Sequence, residues 1–161
     1  MRRLDGAYNL AHSYMGNPQD AEDAVQEAVL KAYKSFGSFR GEDSRAWFFK
    51  IVKNTCLRHL EKRKRMPEPM ATEDLDQHES EQTNRPDNAA LRAASHEMVR
   101  EELGRLPMEY REILVLREFE EMNYHEIGTV LEVPIGTVMS RLSRARAQLI
   151  AQLKQRLEAS T

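Results

Sequence analysis

Five histidines (His12, His59, His78, His96 and His125) and one cysteine, Cys56, are the residues best suited to metal or nucleophilic chemistry, and their spacing supports neither. There is no HExxH pair, no second cysteine for a thiolate cluster and no glycine-rich phosphate loop, so no metal centre, cofactor site or enzyme is expected. What the chain does carry is recognition chemistry. Trp47, Phe48 and Phe49 adjoin a lysine- and arginine-rich stretch, and Phe39-Arg40 precedes them. Rings interleaved with cations suit single-stranded DNA, the rings stacking on unpaired bases while the cations follow the backbone. Trp47 and Phe48 read as core, whereas Phe39, between Gly37 and Gly41, reads as the exposed stacker.

A second constellation lies at 124–146. The helix HEIGTVL, a tight turn and a second helix from near Ile135 have the proportions of a helix-turn-helix. Ile127, Leu131, Val138 and Leu142 supply its shared core, with Gly128 where the helices come closest. That leaves Thr137, Ser140, Arg141 and Arg144, and further round Met139 and Ser143, facing away. No acid occurs from 135 to 157, as a surface opposite phosphates requires. Any helical hairpin can copy such a pattern, so periodicity alone does not decide for DNA.

The elements that must position these groups all read as helices. Leu4, Tyr8, Ala11 and Met15 share one helical face. Asn17-Pro18 with Asp20 is a start signal, and Ala21, Val25, Ala28, Ala32 and Phe36 continue as the next buried stripe. That stripe leaves Asp20, Asp23, Gln26, Glu27 and Leu30 on the outer side, either a solvated face or a docking one. Ser44 is the expected cap of a third helix with Trp47, Phe48, Ile51, Val52 and Thr55 inward. Residues 66–88 hold three prolines and many acids and read as a flexible linker. Helical spacing returns at Leu91, breaks at Leu106-Pro107, and resumes through Phe119. Asn123 and Glu126 form a capping box before the short helix ending near Leu131. Glu132 stands in the turn where glycine is common; either a left-handed backbone there costs this non-glycine residue about 1 kcal/mol or more, or the turn is built differently around Pro134.

Charge is segregated although the net charge is only −2. Residues 40–65 carry nine basic and three acidic residues, 66–96 two and seven, 97–134 four and ten, and 135–161 five and one. Two basic segments separated by acid fit two nucleic-acid contacts, or a chain that masks its own basic faces; solvated helix surface is the plainer account. With 161 residues, 40% hydrophobic and 31% charged, two small helical bodies fit better than one large core. Mean hydropathy is −0.68 and no apolar run reaches membrane-spanning length, so no membrane insertion is expected, and the single cysteine fits a reducing, cytoplasmic setting.

Taken together, DAEDAVQEAVLKAY, SFRGEDSRAWFFKIVKNTCLRHL, EYREILVLRE and YHEIGTVLEVPIGTVMSRLSRAR make the chain resemble the short extracytoplasmic-function (ECF) group of sigma-70 RNA polymerase sigma factors. The resemblance implies an all-α protein with sigma region 2 over residues 1–65, a flexible acidic linker over 66–88 and sigma region 4 over 89–161. It implies that Asp20, Asp23, Gln26 and Glu27, with Leu30, grip the β′ clamp helices of core RNA polymerase. Phe39, Arg40 and Asn54 match the reader of the −10 element, with Lys50, Lys53, Arg58, Lys62, Arg63, Lys64 and Arg65 along the backbone. Thr137, Met139, Ser140, Ser143 and Arg144 match −35 contacts, with Arg141 and Arg146 nearer phosphates. Residues 106–119 would meet the β-flap, the linker would mimic RNA in the exit path, and an anti-sigma factor would wedge against both domains. The competing reading from the residues is a free-standing dimeric helix-turn-helix regulator, which has no use for the segment from Phe39 to Arg65.

Overall fold

A computed structural model describes residues 2–41, 43–65 and 88–161, so all of the expected linker but Asn88 lies outside the described residues. The order is α1 (Arg2–Met15), α2 (Pro18–Ser35), a 3-10 turn (Phe36–Ser38), α3 (Ser44–Arg65), α4 (Asn88–Arg105), α5 (Met108–Leu114) running into a π turn (Val115–Phe119), α6 (Tyr124–Leu131) and α7 (Ile135–Ala159). No strand occurs among the described residues.

The first unit is a bundle of α1, α2 and α3. Its core is alanine-rich where the helices meet: Ala7 and Ala11 from α1, Ala21, Ala24 and Ala28 from α2 and Ala46 from α3, all at 0–1% exposure. Small residues bring the axes close, and Leu10, Phe49, Val52 and Cys56 fill the space between. Burial pushes the Cys56 thiol up to about 12, an inert core residue. Asn17 caps α2 as expected, its side chain accepting from the Asp20 N–H at 2.9 Å with Pro18 in the first helical position.

Three helix faces differ from the apolar spacing. In α1 the buried set is Ala7, Leu10, Ala11, Tyr14 and Met15, while Leu4 is half exposed; α1 packs against its own bundle and against α5, so its covered stripe is broader and rotated. In α2 Ala24 replaces Val25 and Phe36 as the fully covered residue, and Phe36 is 64% exposed. In α3 the core side is Ala46, Phe49, Val52, Thr55 and Cys56, with Trp47 and Phe48 only part-buried. The cap of α3 is also displaced by one residue: Asp43, not Ser44, accepts from the backbone N–H groups of Arg45 and Ala46.

The second unit packs α4, α5 and α6 against α7. Ile113, Leu116, Met122, Ile127, Val130, Val138, Leu142 and Ala145 form its interior, each at 0–1% exposure. The Asn123–Glu126 capping box is present on both sides. Glu132 ends α6 with φ 57 and ψ 46, the left-handed region, at a cost of about 1–2 kcal/mol for a residue bearing a Cβ. Gly128 permits the turn to fold back: a Cβ there would lie 2.9 Å from the Val133 carbonyl oxygen.

The two units are in contact. α3 packs on α6, and α1 on α5 and the π turn. Gly128→Ala is expected to lower stability by about 1–3 kcal/mol, because backbone rather than a flexible side chain must yield; urea denaturation of the full chain measures it, and an unchanged midpoint would refute the close approach.

Candidate nucleic-acid interface

The loop between α2 and α3 is built around three rings. Phe39 lies 4.9 Å from Trp47 and 6.5 Å from Phe36, and Phe36 meets Trp47 edge-on at 6.3 Å between centroids. Gly41 turns the chain beneath the Phe39 ring, where a Cβ would lie 3.0 Å from a ring carbon. Trp47 therefore belongs to a half-exposed aromatic cluster with Phe39, not to the core. Phe39, Arg40, Arg45, Trp47 and Lys50 line one wall of an open cleft. The other wall comes from α6 and its cap: Asn123, His125, Glu126 and Thr129.

The basic residues of α3 fall into two groups. Asn54 and Arg58 are exposed at one-turn intervals beyond Lys50, so the three share a face, although Asn54 does not line the cleft. Lys62 is exposed as well. Lys53 departs from the expectation of a solvent-facing backbone contact: its side chain is only 8% exposed and its Nζ lies 3.5 Å from Glu132. A lysine can be buried in this way only beside an opposite charge. Lys50 reaches the same carboxylate at 2.9 Å, and these lysines hold the Glu132 carboxyl below the usual carboxylate range, the Lys50 hydrogen bond contributing most. Arg63 is paired with Asp20, so it too is engaged within the protein.

On α2, Asp23, Gln26 and Leu30 are exposed and Asp20 and Glu27 are half-buried, all on the outer face expected. Glu27 accepts from Lys31 at 2.9 Å and is bonded to His59; these contacts hold its carboxyl below the usual range, the Lys31 hydrogen bond foremost. The same face carries apolar residues that the sequence reading missed, namely Val29, Tyr33 at 84% exposure and Phe36. The signal was available in the one-turn spacing of Val29 and Tyr33 beside Leu30.

On α7, Met139, Ser143 and Arg144 are exposed. Thr137 and Ser140 are half-buried, the Ser140 hydroxyl donating to the Thr137 carbonyl at 3.2 Å. The remaining two arginines meet carboxylates of their own unit, Arg141 with Glu112 at 3.9 Å and Arg146 with Glu118 at 2.8 Å. Also missed from sequence were the contacts across the units. The Tyr14 hydroxyl donates to Glu112, and the Arg45 guanidinium donates to the Glu120 carbonyl and lies 3.9 Å from its carboxylate. Burial, more than any neighbour, pushes the Glu112 and Glu120 carboxyls up.

An aromatic and basic helical unit coupled to a helix-turn-helix unit defines a two-module, all-helical protein. Residues 1–66 match the family Sigma-70 region 2, and residues 96–149 match Sigma-70, region 4. The chain is 37% identical over 140 residues to the RNA polymerase sigma-H factor of Pseudomonas aeruginosa, covering 83% of this chain and 72% of the relative. It is 30% identical to the ECF RNA polymerase sigma factor SigW of Bacillus subtilis, covering 93% and 84%. Among solved structures, the sigma factor RpoE in complex with the anti-sigma factor NepR from Bartonella quintana matches with TM-score 0.73 and 27% identity over 95% of this chain and 92% of that one. CnrH in complex with the cytosolic domain of CnrY matches with TM-score 0.67 and 27% identity, over 96% and 84%. The chain belongs to the extracytoplasmic-function group of sigma-70 RNA polymerase sigma factors. No helix among the described residues is long and apolar enough to cross a membrane.

The Tyr14–Glu112 contact yields a test. Glu112→Gln keeps an acceptor for the hydroxyl and removes a charge that burial disfavours, so stability at neutral pH is expected to stay within about 1 kcal/mol. Glu112→Ala strands the hydroxyl and should cost about 1–3 kcal/mol. Because the folded-state carboxyl of Glu112 titrates above its unfolded value, its charge weakens the fold at neutral pH, and stability from this group rises as pH falls through the raised pKa. Glu112→Gln should remove that rise; denaturant midpoints across pH, with both variants, check it.

Proposed function

We propose that this sigma factor binds core RNA polymerase through the outer face of α2 and directs it to promoters by splitting the DNA contacts between its two units. On α2, Asp23, Gln26 and Glu27 present polar groups around exposed Val29, Leu30 and Tyr33. An apolar centre with a polar rim is the make-up of a protein-docking surface, here for the β′ clamp helices. The first unit then reads the −10 element. Phe39 and Trp47 supply stacking surface for an extruded non-template base, Asn54 supplies an amide for its edge, and Arg40, Lys50 and Arg58 follow the strand.

The second unit reads the −35 element with α7 in the major groove, where Met139, Ser143 and Arg144 are placed outward. Thr137, Ser140, Arg141 and Arg146 flank them nearer the phosphates. The observation that carries the reading is the match to both sigma regions on a chain whose aromatic cluster and outward α7 residues fall inside them. The chemistry is recognition and strand separation, with bond formation left to the polymerase; we assign no enzymatic activity and a cytoplasmic location. Because RpoE of Bartonella quintana was solved with the anti-sigma factor NepR, an anti-sigma partner is inferred here too.

Run-off transcription with core polymerase on a genomic promoter library tests the whole reading, and a chain that core enzyme does not retain on a sizing column would end it. Asn54→Ala is expected to slow promoter opening about tenfold, the scale of one base contact, with core affinity unchanged. Permanganate footprinting reads the first and fluorescence anisotropy the second; an equal fall in core affinity would remove Asn54 from base reading. Arg144→Ala should weaken upstream duplex binding by the holoenzyme and make its salt dependence shallower by about one unit of log–log slope, provided the arginine meets a phosphate.

A further inference from the structure

The outer face of α2 is not a free-standing helix surface. A row of polar contacts ties it to α3 within the first unit. Asp20, near the start of α2, is paired with Arg63 in the last turn of α3. Glu27, two turns on, meets Lys31 at 2.9 Å through one carboxylate oxygen and His59 through the other. Lys31 in turn lies 3.5 Å from the Thr55 hydroxyl. The α2 members ascend as 20, 27 and 31 while the α3 members descend as 63, 59 and 55, the register of two antiparallel helices.

Both carboxylates are fixed from two sides. The Asn17 amide that caps α2 donates to Asp20 Oδ2 at 2.5 Å, the oxygen that Arg63 also meets. Each oxygen of Glu27 has a partner of its own. The side chains of these pairs are 29–47% exposed, and ion pairs in contact with solvent contribute little to stability. What they do supply is orientation, since each contact removes rotamers that the side chain would otherwise sample.

The same contacts divide the end of α3 into two faces. Arg58 and Lys62 are exposed and, among the described residues, meet no carboxylate. His59 and Arg63, one position further on in each case, turn toward α2. We propose that His59 and Arg63 are positioning residues for polymerase docking, acting through Glu27 and Asp20, and that Arg63 lies outside the DNA path followed by Arg58 and Lys62.

The proposal rests on the docking role assigned to the outer face of α2 above. Under that role, two carboxylates on the face that carries Val29, Leu30 and Tyr33 are set in place by the neighbouring helix before polymerase arrives. The ordering of those side chains is then not a cost of binding. The end of α3 thus serves two partners from two faces, one through its own cations and one through the acids of α2.

The test measures core affinity of the full chain by fluorescence anisotropy. His59→Ala and Arg63→Ala should each weaken it about three- to tenfold, the scale of one docking side chain left to be ordered on binding. The amide nitrogen of His59→Gln reaches the place of Nε2, so this variant should return to within about twofold of the parent. In a Glu27→Ala background His59→Ala should cost nothing further, and in Asp20→Ala neither should Arg63→Ala, because each acts only through its carboxylate. The unfolding midpoint should move by no more than about 4 °C, the scale of an exposed ion pair in a chain of this size. Preformed holoenzyme carrying Arg63→Ala should bind a fluorescein-labelled DNA duplex with an unpaired central bubble with the parent's salt dependence. Arg58→Ala should make that dependence shallower by about one unit of log–log slope.

Unchanged core affinity in both alanine variants would overturn the proposal. So would losses that persist undiminished in the Glu27→Ala and Asp20→Ala backgrounds, which would put His59 and Arg63 on polymerase themselves. A shallower salt dependence for Arg63→Ala would return that arginine to the DNA path and overturn its assignment. Leu30→Asp separates the proposal from the reading beneath it. Core affinity indifferent to Leu30→Asp would sink the α2 docking surface, whereas affinity that falls with Leu30→Asp but not with His59→Ala or Arg63→Ala would sink the positioning role alone.

Discussion

Carboxylates of the second unit set against cations and a phenol of the first are the interactions on which the arrangement turns. Glu112, Glu120 and Glu132 come from three successive segments and meet Tyr14, Arg45 and the Lys50/Lys53 pair. The three contacts differ in energy. Burial pushes the Glu112 and Glu120 carboxyls upward, so their partners do not fully offset lost hydration. Only Glu132, still 54% exposed, is pulled the other way by its lysines. A junction in which two of three carboxylates resist burial is specific in register and modest in strength. Physiological salt screens beyond about 8 Å, so the opposed charge blocks act through these contacts and not through their sums.

Each unit has an interior of its own. The first builds it with closely spaced helices: six alanines at 0–1% exposure bring α1, α2 and α3 together around Phe49 and Leu10. The second does so with Ile127, Val130, Val138 and Leu142 across the turn at Gly128. Phe36, Phe39 and Trp47 belong to neither interior. Phe36 and Phe39 stack and Trp47 meets them edge-on and tilted, so the rings are already arranged, which would spare part of the ordering cost of binding a base.

Local chemistry made much of this legible. Asn17-Pro18 and the Asn123–Glu126 box each follow from short-range capping rules, and each is present, whereas the left-handed backbone of Glu132 is one that Cβ sterics disfavour and that the sequence left undecided. Helix faces were less legible, because apolar spacing reports that a side is covered without saying by what. Leu4 and Phe36 fit a stripe numerically and are exposed, while Tyr14 is buried by a helix about a hundred residues away. Trp47 was assigned to a core when it belongs to a surface cluster, since aromatic character is the same in both. Lys53 could not have been read as buried, because a lysine is covered only where a distant carboxylate meets it. The π turn after α5 has no signature in sequence periodicity.

The same constraint shapes α7. Arg141 and Arg146 are counted as cations in the sequence, yet they already meet Glu112 and Glu118. When a phosphate approaches, such an arginine exchanges one anion for another, and the gain is the difference between two pairings, not a whole one. Exposed Arg144, with no acid in residues 135–157 of its own helix, stands in a different position: bringing it to DNA breaks no carboxylate pair along α7. Affinity of the second unit should therefore depend on fewer charges than its composition implies. Under the −35-reading role proposed for α7, discrimination is then left to Met139 and Ser143, whose apolar and hydroxyl contacts read a base edge weakly.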